Sequence, residues 1–310
     1  MEDLVASITA MSVSRMRAIH ARSDPQPVLH DSWGDRLVPA SLLVAAIANR
    51  ESPVSSNADA ASEEELARIS DDFMRASPAY TNVILRARYT EDALRTAIAR
   101  GVRQYVVIGA GFDSYALRIP PEAGALTVIE IDHPATQSLK RQRISECGIV
   151  LGDNVQFVAA DLATESLDAA LSRSAFRPDE PAFFAWLGVT MYLTREANLT
   201  TLGKIAQCSV EGSELVFSYI DQKMFEPSGA GEAASFSDLE STVKSFGEPF
   251  ISGFHPALLA QELSEIGLEL QEDLSEFQMA ERYDPQGVNG FMPLDRSHVA
   301  RVRVGGMSKR

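Results

Sequence analysis

Two glycines and an acidic residue, Gly109, Gly111 and Asp132, stand in this chain at spacings that suit the binding of a nucleoside. Tyr105 to Ile108 reads as a short buried strand, and the glycines that follow let the chain turn tightly enough for a ligand to reach its backbone. A second apolar run, Val128 to Ile131, carries Glu130 and ends at Asp132, 21 positions after Gly111. That is near the roughly 20-residue spacing at which an acidic side chain accepts hydrogen bonds from ribose hydroxyls. A dinucleotide fingerprint needs a third glycine where Ser114 stands, so that a helix N-terminus can press on a pyrophosphate. Asp113, beside that position, would repel such a group. S-adenosyl-L-methionine, a cation without phosphate, suits this turn better than NAD.

Asp161 follows the strand-like run Val155 to Ala159 and so falls at the carboxyl end of a parallel sheet, where ligands of open α/β folds collect. The alternative reading makes Asp161 the N-cap of a helix over Ala163 to Leu171.

Gln104 to Arg118 resembles motif I of the leucine carboxyl methyltransferase family. Ile129 to Pro134 with Lys140 beyond, Ala160-Asp161-Leu162, and Phe184 to Leu193 resemble successive signatures of its bacterial, largely mycobacterial branch. Ser14 to His20, Val28 to Asp31 and Arg86-Ala-Arg88-Tyr89 are similar to its N-terminal segment, and after about residue 220 the likeness is weak. The resemblance implies a class I methyltransferase: a Rossmann-like α/β fold with a mainly parallel seven-stranded sheet, helices on both faces, and a cap formed by a helical N-terminal part and an insertion. It implies Gly109 and Gly111 against the methionine part of the cofactor, Asp132 on the ribose, Asp161 and Leu162 at the adenine, and Arg88 pairing with the methionine carboxylate. A planar guanidinium fork is apt for that last contact. Arg86, Arg88 and Arg95 share one helix-like segment, so a solvated basic face is the alternative. Leu187 departs from the family, where many members carry Glu.

The elements that must position these residues follow from periodicity. Residues 1–80 show helical spacing, as in Leu4, Ile8, Met11 and Arg15, broken by Pro25, Pro27 and Pro39, and read as a cap. Glu51 to Glu65 reads as a mobile surface loop. Residues 81–220 read as the Rossmann-like core, with strands near 104–108, 126–131, 155–159, 182–187 and 213–220 alternating with helices. Residues 221–254 read as an insertion joining the cap, and 255–310 as the C-terminal part of the core, with a helix from about His255. Phe225, Phe236, Phe246, Phe250 and Phe254 either line an apolar pocket or anchor the insertion. The basic cluster Lys140 to Arg143 reads as the outer face of a helix, and Arg301 to Arg310 as a terminal strand with a loose tail.

With 310 residues, 45% of them apolar, the chain has the material for one large domain with additions. A formal net charge of −15 sets a repulsive field against nucleic acid. Two cysteines and five scattered histidines imply neither a disulfide scaffold nor a metal site and suit a reducing cytoplasm. No apolar run near the N-terminus is long enough to span a bilayer, so a soluble chain is expected. No sustained heptads announce an oligomer.

These observations point to an S-adenosyl-L-methionine-dependent O-methyltransferase acting on a small-molecule or peptide-borne carboxylate or hydroxyl. A carboxylate acceptor is already ionised at neutral pH; a hydroxyl needs a base, for which Tyr192, His133 and Tyr219 are the candidates. Two other readings are a nicotinamide-dependent oxidoreductase, for which Tyr219 and Lys223 have the Tyr-x-x-x-Lys spacing of short-chain dehydrogenases, and a non-catalytic S-adenosyl-L-methionine-binding regulator. Tyr219 ends a strand and Lys223 lies in the loop after it, which keeps that pair from sharing a helix face.

Overall fold

The alternation of short apolar runs with amphipathic ones folds into a sheet covered on both sides. The structure, a computed structural model, describes residues 6–48, 62–225 and 247–305, together with 241 and 244. Strands β1 (Gln104–Ile108), β2 (Thr127–Asp132), β3 (Val155–Ala159), β4 (Ala182–Trp186), β5 (Glu214–Ile220), β6 (Leu268–Ser275) and β7 (Ser297–Val304) form one seven-stranded sheet among the described residues. Its order is β3-β2-β1-β4-β5-β7-β6. The first five strands run parallel and β7 lies antiparallel between β5 and β6. All five residues of β1 and of β4 are buried, as expected where helices cover both faces of a parallel sheet.

Alternation along the strands sorts two apolar layers. Val106 and Ile108 pack with Leu202 and Ile205 of α8 (Arg195–Cys208), with Leu259 and Leu263 of α9 (Pro256–Glu265), and with α7 (Leu167–Leu171). Tyr105 and Val107 point the other way, onto Leu85, Leu94 and Ala97 of α5 (Tyr80–Ala99) and Met279 of α10 (Glu276–Tyr283). A third layer joins α5 to the N-terminal helices α1 (Ile8–Ser23), α2 (Gly34–Leu37), α3 (Ala40–Ala48) and α4 (Glu63–Ala76), and includes Phe112 from the glycine turn. The segment read as a loop, Glu51 to Glu65, lies largely outside the described residues, as do Phe236, Phe246 and residues 306–310.

One strand lay outside those located by periodicity, and one expectation is corrected. The strand Leu268–Ser275 escapes the periodicity because it is an edge strand: Glu269, Gln271, Glu272 and Asp273 interrupt its apolar positions, and a register shift between Leu270 and Glu272 breaks the alternation. Lys140 is not on the outer face of α6 (Pro134–Glu146). Its side chain is 1% exposed and forms an ion pair with Glu130, equally buried on β2. Burial pushes the Glu130 carboxyl up to about 7 against the pull of Lys140. Arg143 lies nearer the surface, on Glu146 and the carbonyl of Leu37.

Because the pair is enclosed, removing one partner strands a charge, whereas removing both does not. Lys140→Met is expected to destabilise the fold by about 3–5 kcal/mol in denaturant unfolding, and Glu130→Leu/Lys140→Met to recover most of that loss. A Lys140→Met loss below about 1 kcal/mol would place the pair among solvent-screened ones.

Candidate active site

Parallel strands deliver their carboxyl ends to one edge of the sheet, and the chain leaves β1 toward β2 on one side and β4 on the other, the place where open α/β sheets hold ligands. A cavity of about 780 Å³ opens there. Gly109, Gly111, Asp132, Asp161 and Leu162 all line it, so the structure brings five of the six expected binding residues together.

The glycine turn is shaped from three sides. Gly109 and Gly111 adopt φ values of +66° and +51°, a region that L side chains rarely visit. Backbone N–H groups of Gly109 and Ala110 donate to the Ile131 carbonyl at 2.9 and 3.2 Å. A Cβ on Gly111 would sit 2.9 Å from the Ala10 side chain, so the absent side chain lets α1 close on the turn. The Asp132 carboxylate accepts from the Gly111 N–H and, at 2.6 Å, from the His133 N–H. Burial raises its pKa, against the opposing effect of those two bonds. Each carboxylate oxygen keeps a second lone pair for a ligand hydroxyl.

Asp161 accepts from the Ala163 N–H at 3.0 Å and the Thr164 hydroxyl at 3.2 Å, stabilising a turn ahead of α7 rather than a helix starting at Ala163. Leu162 packs on the core beside it.

Arg88 is elsewhere. Its guanidinium donates to Asp92 at 2.9 Å and to the Val28 carbonyl at 2.6 Å and lies over the Tyr283 ring, away from the cavity lining. Arg86 lines the cavity instead. It is 8% exposed and donates to Asn82 at 2.9 Å. Gly188, at φ +70°, makes room for it: a Cβ there would fall 2.6 Å from Arg86 Nη2. Among the described residues no carboxylate lies within ion-pairing distance of Arg86, and burial lowers its pKa to about 10. Arg17, a second cavity cation, contrasts with it, being held by Asp31 at 2.8 Å and Asp113 at 2.7 Å. Burial works against both ions of the Arg17–Asp113 pair, yet the pairing holds the arginine above and the aspartate well below its ordinary range.

Sequence reasoning also passed over Glu276, on the first turn of α10 and 1% exposed. Its Oε2 accepts from the Leu294 N–H at 3.0 Å, and it lines the cavity with Arg296 and Ser297. Burial pushes its carboxyl up to about 7, opposed by Leu294, Ser297, Arg296 and Arg86. Only the acidic first turn after Ser275, with its capping box, marks the position in the sequence.

The far side of the cavity is formed by the N-terminal helices and the segment ahead of α9. Met16 of α1, Phe73 of α4 and Pro249 to Ile251 line it, and Phe250 lies 5.7 Å from the ring of Tyr192. Phe254 is fully buried in the core, and Phe225 packs on the small cluster of Met191 and Ile220. Of the candidate bases, Tyr219 is fully buried and donates to Asp273 at 2.8 Å. Lys223 pairs with Asp295 at 2.9 Å, so Tyr219 and Lys223 do not form a catalytic pair. His133 caps α6 through the Ala135 N–H at 3.4 Å, and burial keeps the Tyr192 phenol above its ordinary pKa.

A mostly parallel sheet of this order, with a glycine turn after β1 and acids at the carboxyl ends of β2 and β3, defines a class I methyltransferase fold. The leucine carboxyl methyltransferase profile matches residues 10–206, and the chain belongs to that family. It is 33% identical over 193 residues to YktD of Bacillus subtilis (strain 168), provisionally named an S-adenosyl-L-methionine-dependent methyltransferase, a match spanning 62% of each chain. A likewise provisionally named protein of Mycolicibacterium smegmatis is 30% identical over 232 residues, 74% of this chain and 72% of that one. Among solved structures, a DUF574 family protein from Streptomyces avermitilis aligns with a TM-score of 0.56 at 17% identity, over 78% of this chain and 91% of that one. A provisionally named methyltransferase from Thermobifida fusca aligns at 0.52 and 14%, over 78% and 89%. No helix among the described residues is long and apolar enough to cross a membrane.

Glu276 ties stability to pH. Its folded pKa of about 7 lies above the unfolded value of 4.5, so the fold favours the protonated acid. As pH rises between these values the unfolded chain gives up this proton first and stability falls, levelling off above about 7. Glu276→Gln, facing the same Arg86 and Arg296, is expected to gain stability over the parent across that window in pH-dependent melting. A constant difference between the two would refute the shift.

Proposed function

We propose that this chain, an S-adenosyl-L-methionine-dependent methyltransferase, delivers the methyl group to an oxygen of a small or peptide-borne acceptor, with a carboxylate favoured over a hydroxyl. The observation that carries this reading is one continuous cavity in which the glycine turn and its acids meet an apolar chamber walled by the cap.

The residues fit the donor. Gly109 and Gly111 leave backbone open to it, Asp132 retains lone pairs for ribose hydroxyls, and Asp161 with Leu162 offers a polar and an apolar contact for adenine. Arg86 takes the part first expected of Arg88: a buried cation with no carboxylate of the described chain beside it matches the methionine carboxylate. When bound, S-adenosyl-L-methionine supplies a methyl group already activated on a sulfonium. The protein then has to position the acceptor in line and exclude water, and the apolar cap residues do both. None of Tyr192, His133 and Tyr219 stands ready to take a proton, because the first is held protonated, the second caps α6 and the third is bonded away from the cavity. An acceptor that arrives ionised needs no such group.

Calorimetric titration is expected to give micromolar or tighter binding of S-adenosyl-L-methionine and S-adenosylhomocysteine and none of NAD. Asp132→Ala and Arg86→Met should each weaken the first two by tenfold or more, with Arg88→Met within about twofold of the parent. Labelled methyl groups transferred to carboxylates will be released as methanol by mild base, whereas methyl ethers resist it. Base-stable product, or turnover of hydroxyl acceptors alone, refutes the carboxylate assignment.

A further inference from the structure

Two buried groups of opposite charge face the cavity without pairing directly. Arg86 of α5 is 8% exposed and Glu276 of α10 is 1% exposed. Each lies in the other's field and Glu276 also in that of the neighbouring Arg296, yet no ion pair joins Arg86 to Glu276. Buried ions are costly unless paired or neutralised, so a cation and an anion on one cavity lining that are not paired with each other form the complement of a ligand that carries both charges close together. An α-amino acid group has that pattern, with ammonium and carboxylate on a single carbon.

The geometry of α10 places its carboxylate on the required side. Glu276, Met279 and Ala280 are three and four positions apart and share a helix face. Met279 and Ala280 pack in the apolar layer that also takes Leu187, which lines the cavity just beyond the end of β4. Leu187 itself brings no charge. The Leu294 N–H, at 3.0 Å from Oε2, fixes the Glu276 carboxylate in place.

We propose that Glu276 receives the ammonium group of the methionine part of S-adenosyl-L-methionine while Arg86 receives its carboxylate. A helix outside the family-matched span thereby completes the donor site. The assignment rests on the donor reading above and extends it to a residue on the C-terminal side of the chain.

Calorimetry on the full chain at pH 7.5 separates the possibilities with three probes: S-adenosylhomocysteine, its 5′-methylthioadenosine fragment without the amino acid, and decarboxylated S-adenosylmethionine, which keeps the amine alone. Glu276→Gln is expected to weaken the first and third by tenfold or more and leave the fragment within twofold. Arg86→Met should weaken the first and spare the third. Glu276→Asp, which keeps the charge, should lose less than Glu276→Gln and guards against a folding defect. Unchanged S-adenosylhomocysteine affinity in Glu276→Gln overturns the assignment and moves the carboxylate to the acceptor, as a binder or a base. Equal loss for all three probes also overturns it, as a structural effect. Failure of the parent chain to bind any of the three defeats the donor reading and this inference with it.

Discussion

The carboxylate of Asp132 holds the glycine turn in the shape on which the rest of the site depends. By accepting the N–H groups of Gly111 and His133, it satisfies two donors that positive-φ backbone and a helix start would otherwise leave open, and ties β1 to β2 at their carboxyl ends. The tie fixes where the sheet ends and the cavity begins. The N-terminal segment packs on that surface, with Ala10 against Gly111, the Ser7 N–H on the Thr136 hydroxyl at 3.1 Å and Arg17 on Asp113 at 2.7 Å.

Charge in this cavity is distributed by compensation. Arg17 enters the wall with two carboxylates of its own and so serves the fold, joining α1 to the turn. Arg86 enters with an amide partner only, and Gly188 gives up a side chain to admit it. The Glu130–Lys140 pair beneath β2 is closed on itself and contributes nothing to the cavity lining. In an acidic protein of net charge −15, Arg86 is buried on the cavity wall with no carboxylate of the described residues in ion-pairing distance.

Much of the core was legible in the residues. Strands β1, β4 and β5 are mainly apolar runs buried along their whole length, and such runs stand out against amphipathic helices. The glycines, Asp132 and Asp161 were legible because backbone conformation and strand ends impose fixed local spacings. The edge strand β6 was not, since one side of it meets water and its charges mask the period. Phe250 and Phe254 looked alike in the sequence, yet one lines the cavity and the other fills the core.

By itself, the sequence determined what is local: a glycine turn that only small residues permit, strand ends with acids at set intervals, and the ordered motifs of a methyltransferase family. Packing between distant parts of the chain sets which charged side chains face the cavity. Arg86 and Arg88 sit two positions apart on α5, about 200° around the helix, so one points into the cavity and the other to Asp92 and Val28. Which of the two faces inward depends on how α5 is rotated against the sheet, and that rotation is set by packing with Tyr105, Phe183 and α10, far away in the chain. Glu276 comes to the cavity by the same route: its capping box starts the helix locally, but packing on α5 and β6 carries that helix to the cavity.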